Sequence, residues 1–191
     1  MNRVLTVVAS FFLLTAGALA NGELDRILTA ADKARLKNYE ATREEALAEA
    51  KQGPAADQAV LAAALEGEPL AIEGAFDPLG TWTCRVIKAG GLVPLIAYPA
   101  FKCVIAEDGV GWTLKKITGS QRTEGRFYTM SAKRLVYVGA GHVAGEPPRR
   151  YGDDAQQNQV AITERLAENR IILLFPEPQY ESKIDILVLE R

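Results

Sequence analysis

The densest run of reactive side chains lies between positions 115 and 134. Lys115, Lys116, Arg122, Arg126, Lys133 and Arg134 place six cations in 20 positions, against Glu124 alone. Arg149 and Arg150 follow in a second polar stretch. Guanidinium and ammonium groups gathered at one place recognise carboxylates, phosphates or acidic glycans. If the polar stretches 119–126 and 145–158 meet at one end of a sheet, Arg122, Arg126, His142, Arg149 and Arg150 form a basic mouth for a small anionic ligand. The competing arrangement leaves the lysines solvated, with Ser120, Gln121 and Arg122 satisfying backbone groups in an irregular turn.

Other chemistries find fewer residues. His142 is the only histidine, and neither H-E-x-x-H nor C-x-x-C occurs, so no metal site is expected. Asp153 and Asp154 fall short of a calcium sphere and read as a turn. Gly139-Ala140-Gly141 lacks the third glycine of a dinucleotide loop. No G-x-S-x-G is present; the one conceivable triad, Ser120 with His142 and Asp153 or Asp154, needs Ser120 within hydrogen-bond reach of His142. The expectation is a non-enzymatic protein without a cofactor. With 22 basic and 24 acidic residues, the net charge of −2 gives no bulk attraction to nucleic acid or an anionic membrane.

These side chains need a sheet to hold them. Trp82, Cys84 and Val86 alternate with Thr81, Thr83 and Arg85, the period of a strand with one buried face. Phe101, Cys103 and Ile105 repeat it around Lys102. The two cysteines therefore sit on inward positions of two predicted neighbouring strands, where a structural disulfide is the simplest reading. From position 79 onward, seven or eight short strands are separated by turn signals. Among them are a polar hairpin at 119–126, an apolar run at 135–138, a strand at 159–166 with Val160 and Ile162 inward, and a last one with Ile184, Ile186 and Val188 on one face. Closing such a sheet hides the edge of that apolar last strand. The expected fold is mainly β: a small antiparallel barrel over 79–191.

The start of the chain addresses it. Arg3, the apolar run Val4 to Leu14 and Ala18-Leu19-Ala20 have the layout of an export signal at 1–20, cleaved after Ala20. The apolar run is shorter than the roughly 20 residues of a spanning helix, so no stable membrane insertion is expected after cleavage. A mature protein beginning at Asn21 would be periplasmic or secreted. Residues 21–28 read as a short polar lead. Thr29 is a candidate N-cap for a helix from Ala30 to Gln52, and Gly53-Pro54 ends it. A second helix is expected from Ala55 to Leu65, then a linker to position 78, the pair packing on its own domain.

Two resemblances extend this reading. Gly80-Thr81-Trp82 resembles the G-x-W opening of calycin barrels, the group of lipocalins, avidins and certain bacterial metalloprotease inhibitors. It implies an arginine near the end of the barrel stacked on the tryptophan, with Arg191 or Arg126 in that part. The stretches 84–88, 117–125, 137–142 and 147–152 are similar to an exported alphaproteobacterial family, domain of unknown function 4893. That likeness implies export and a single domain, and it carries over no catalytic residue. The function expected is periplasmic binding of a small anionic ligand or a cell-envelope component. The alternative is a protein–protein module such as a periplasmic protease inhibitor. Calycin-fold inhibitors insert a flexible N-terminal segment into the protease, whereas residues 21–78 here read as largely helical.

Overall fold

The structure, a computed structural model, describes residues 16–191 except 73 and 75, with side chains from residue 22 onward. The expected signal residues up to position 15 lie outside the described residues. Three helices, α1 (Ala16–Ile27), α2 (Ala30–Ala50) and α3 (Ala55–Leu65), precede eight strands. The strands are β1 (Gly80–Gly91), β2 (Leu95–Glu107), β3 (Trp112–Lys116), β4 (Gln121–Ser131), β5 (Arg134–Val143), β6 (Asn158–Ala167), β7 (Arg170–Pro176) and β8 (Ser182–Glu190). Each pairs antiparallel with the next, and β8 returns to β1, closing the barrel. No helix among the described residues is long and apolar enough to cross a membrane.

α1 corrects the reading of 21–28 as a polar lead. The helix runs through Ala20 to Ile27, and Leu24 and Leu28 are buried while Ile27 packs beside them. Apolar residues at i, i+3 and i+4 make that stripe, and a charged composition hid it. α2 begins as expected: the Thr29 hydroxyl accepts the Asp32 amide at 3.1 Å. Tyr39, Thr42, Ala46 and Ala50 then face the barrel, the alanines letting the helix approach the sheet closely.

The helices lie on the outside of the barrel, so several strands are buried on both faces. Ile184, Ile186 and Val188 share a face, but it is the outer one, packed with Tyr39, Ala46 and Ala50. Leu187 and Leu189 fill the interior with Trp82, Leu114 and Tyr137. Val160 and Ile162, expected inward, also point out into the helical layer, while Ala161 points in. Two apolar faces on one strand erase the alternation that would tell in from out. Pro99 sits inside β2, opposite Val86 where the β1–β2 register shifts. A bulge tolerates the missing N–H.

The interior is packed. Cys84 and Cys103 are bonded, with Cα atoms 5.9 Å apart. Gly125 and Gly139 face each other across β4 and β5, and a Cβ on either would lie 2.5–2.7 Å from Tyr137 side-chain atoms. These glycines give the Tyr137 ring its place. At the C-terminus the Arg191 guanidinium lies 4.3 Å from the Trp82 ring centroid and donates to the Leu79 carbonyl at 3.0 Å. The expected arginine–tryptophan stack is made by Arg191, not Arg126.

The strand order sorts the connections between two ends. The β2–β3, β4–β5 and β6–β7 turns share one end with the linker, whose Ile72 amide donates to Ala132. Ile72 is buried in the interior cluster and Phe76 packs beside it, stopping that end. The β1–β2, β3–β4, β5–β6 and β7–β8 connections surround the opposite end.

Candidate functional site

That second end holds a cavity of about 250 Å³. Its apolar walls are Val86, Phe175 and Leu187 from β1, β7 and β8. Its polar wall is rich in amides: Gln121, Gln156, Gln157, Gln159 and Gln179, five of the chain's seven glutamines, line it. Thr123 Oγ1 lies 2.7 Å from Tyr137 Oη and 2.5 Å from Gln159 Oε1, tying the polar wall to the packed interior. Carboxamides and hydroxyls both donate and accept, so this wall can orient a polar ligand of either sign.

The charged groups divide into a satisfied side and an unsatisfied one. On the first, Lys88 Nζ lies 2.9 Å from Glu181 Oε2 and 3.7 Å from Asp185 Oδ2, and Asp185 accepts from Ser182 Oγ at 2.5 Å. Burial pulls the Lys88 pKa down, but Asp185 and Glu181 together outweigh it and leave it raised. Asp185 is pushed up by its own burial.

On the other side stands Lys116, only 7% exposed. Its ammonium donates to the Gln121 carbonyl at 2.6 Å and the Thr118 carbonyl at 3.1 Å, with the Phe101 ring 4.0 Å away. No carboxylate among the described residues pairs with it. Burial, then the nearby Arg122 guanidinium, lower its pKa from 10.5 to about 8. Arg122 and His142 are paired across β4 and β5, and both line the cavity. Arg122 Nε and His142 Nδ1 are buried with no hydrogen-bond partner among the described residues. Buried polar atoms are nearly always satisfied, so two adjacent exceptions beside an unpaired lysine mark a place built for something else.

The expected basic mouth is thus assembled in part. Arg122 and His142 line the cavity, and Lys116 joins them. Arg126 lies toward the stopped end, where it forms an ion pair with Asp108 of the β2–β3 turn. Arg149 is held within its own loop by Asp154 at 2.6 Å and Glu146 at 3.6 Å. The exposed Arg150 contributes a backbone N–H to Asp153, which makes the expected turn. Ser120 is exposed, its carbonyl accepting the Ala144 amide, and no hydrogen bond joins its hydroxyl to His142. Gly119 and Ser120 form a bend, and the rest of the expected polar hairpin belongs to β4.

A wider cleft of about 460 Å³ lies at the stopped end beside Phe76, Trp112 and Tyr128. Its arginine, Arg126, is already neutralised, and no buried unpartnered polar atom among the described residues lines it. The smaller cavity is the candidate site.

A family model described as domain of unknown function (DUF4893) matches residues 25–189. The chain belongs to the DUF4893 family. No curated protein and no solved structure matched it. Every residue lining the candidate cavity falls inside the DUF4893 match, and Arg191, which clamps Trp82, lies just beyond it. Among the lining residues that sequence reasoning missed are Lys116, counted only as part of a charge run, the Lys88–Asp185 pair, and the glutamines, of which Gln121 was read as a turn residue. The QQNQ run at 156–159 was the visible signal for the latter.

Proposed function

We propose that this protein binds a small carboxylate or similar anion in the barrel-mouth cavity, with Arg122 and Lys116 as its cationic anchors. The observation that carries this reading is the trio of Arg122, His142 and Lys116. Among the described residues, two buried nitrogens lack partners and one buried ammonium lacks a counter-ion, all at the wall of one cavity. An anion there would accept from the arginine and offset the desolvation of the lysine. The volume falls below the roughly 300–1,000 Å³ of sites for drug-sized ligands, which favours a compact metabolite over a lipid chain. Val86, Phe175 and Leu187 would hold its apolar part.

Export to an oxidising compartment is part of the same proposal. It is supported by the signal-like start of the sequence and by the Cys84–Cys103 bond. The protease-inhibitor alternative has less support, because α2 and α3 are packed against the barrel.

Calorimetric titration of the oxidised protein with a panel of small carboxylates and phosphates tests the binding reading. Arg122→Gln should weaken the best ligand by about 10- to 100-fold, the loss of one charge-assisted hydrogen bond. Arg149→Gln should leave that affinity unchanged. Equal losses in both variants, or no binding by the parent protein, would end the proposal.

A further inference from the structure

Lys116 has a property that holding an anion does not use. Two carbonyl oxygens, of Gln121 and Thr118, stand within hydrogen-bond distance of Nζ. They match the two N–H bonds of a neutral amine and leave its lone pair uncommitted. When the group is charged, the Phe101 ring can take the third N–H. The surroundings therefore serve both protonation states, and no carboxylate among the described residues locks the amine in its charged form. Burial and the neighbouring Arg122 work in the same direction, bringing its pKa to about 8. A desolvated lysine beside a second cation is the setting that makes an amine nucleophilic near neutral pH.

We propose that Lys116 condenses reversibly with the carbonyl group of a small 2-oxo acid whose carboxylate is held by Arg122. This deepens the binding reading above and rests on it. The lone pair of the neutral amine attacks the carbonyl carbon, forming a C–N bond while the C=O π pair moves to oxygen. A proton passes from nitrogen to that oxygen, giving a carbinolamine. The C–O bond then breaks, water leaves with a second proton from nitrogen, and a C=N bond remains. Amine and carbonyl have become imine and water, with no oxidant or reductant involved. Arg122 holds the carboxylate, and the carboxamides that line the same cavity can supply a hydrogen bond to the carbinolamine hydroxyl. Hydrolysis of the imine releases the ligand, so the site can capture a reactive carbonyl compound and let it go.

The oxidised full-length protein, incubated with pyruvate and sodium cyanoborohydride, tests this by intact mass and peptide mapping. Lactate, which has the carboxylate but no carbonyl, is titrated in parallel by calorimetry. One reduced adduct per chain, located on Lys116 and absent from Lys116→Arg, is expected. Labelling should be several-fold faster above about pH 8 than a unit below it. Arg122→Gln should slow labelling by pyruvate at least about tenfold more than labelling by acetone, which lacks the carboxylate and loses only the arginine's effect on the lysine's protonation. Adducts spread over exposed lysines such as Lys102 and Lys133, or no adduct although lactate binds, would overturn the imine and leave carboxylate binding standing. Failure of lactate and pyruvate alike to bind or label would overturn both.

Discussion

Reducing the Cys84–Cys103 bond separates what the covalent link contributes from what its sulfurs contribute by packing. The cysteines are 19 residues apart in sequence, 1% and 0% exposed, and lie in the interior cluster with Trp82. In the chain-entropy model a closed loop of that length restricts the unfolded chain by about 3 kcal/mol. For a chain of 191 residues this corresponds to a fall in Tm of about 6–12 °C on reduction. The thiols of the reduced protein still fill the same space, so the link alone is measured. The Cys84→Ala, Cys103→Ala double variant also empties that space, at roughly 1 kcal/mol per sulfur, and should be less stable again. Guanidinium unfolding of the three forms, with matched thermal scans, gives the comparison. Reduction should also raise the denaturant m-value, because an uncrosslinked unfolded chain exposes more surface. Oxidised and reduced forms within 1 kcal/mol of each other, with equal m-values, would refute the assignment of this bond to restraint of the unfolded chain.

Lys116 makes stability depend on pH in the less usual direction. Its pKa is about 8 in the fold and 10.5 when unfolded, so the unfolded chain holds the extra proton across that window. Stability contributed through this group should rise from pH 8 to 10.5, by roughly 2 kcal/mol after allowing for solvent at the mouth, and Lys116→Met should remove the rise in denaturation midpoints. Binding of an anion should favour the charged amine, so affinity measured by titration should be flat below about pH 8 and fall above it; affinity independent of pH would exclude Lys116 from the site. Gly139→Ala places a methyl 2.5 Å from the Glu124 carbonyl oxygen and from Tyr137 Oη, between two strands that cannot separate, and should cost more than about 3 kcal/mol in a urea titration. Arg191→Ala loses the contact with Trp82 and the bonds to the Leu79 and Asp77 carbonyls, and should lower stability by about 1–2 kcal/mol with a change in tryptophan near-ultraviolet dichroism. An unaltered signal there would mean that Arg191 does not rest on Trp82.

Much of the candidate site was legible as composition and little of it as geometry. Arg122 and Arg126 looked alike as members of one charge run. On an extended strand, residues four apart stand roughly 13 Å from each other, enough to carry them toward opposite ends of a short barrel. Arg149 looked free because Asp154 and Glu146 also looked free, and only the folded loop joined them. Lys116 and Gln179 come from the β3 end and the β7–β8 loop, more than 60 positions apart, and only barrel closure brings them to one wall.

Local pattern determined what depends on neighbours along the chain: the Thr29 cap, the span of α3, the period-two strand through Trp82 and Cys84, and the pairing of two cysteines left with no other partner. These follow from backbone periodicity and from residue counts, which survive without a tertiary fold. Tertiary structure decided which face of each doubly apolar strand looks inward, because helices on the outside make Ile186 as buried as Leu187. It also decided which cations stay unpaired. A charge finds or lacks a partner through space, and residues far apart in sequence meet only when the sheet closes.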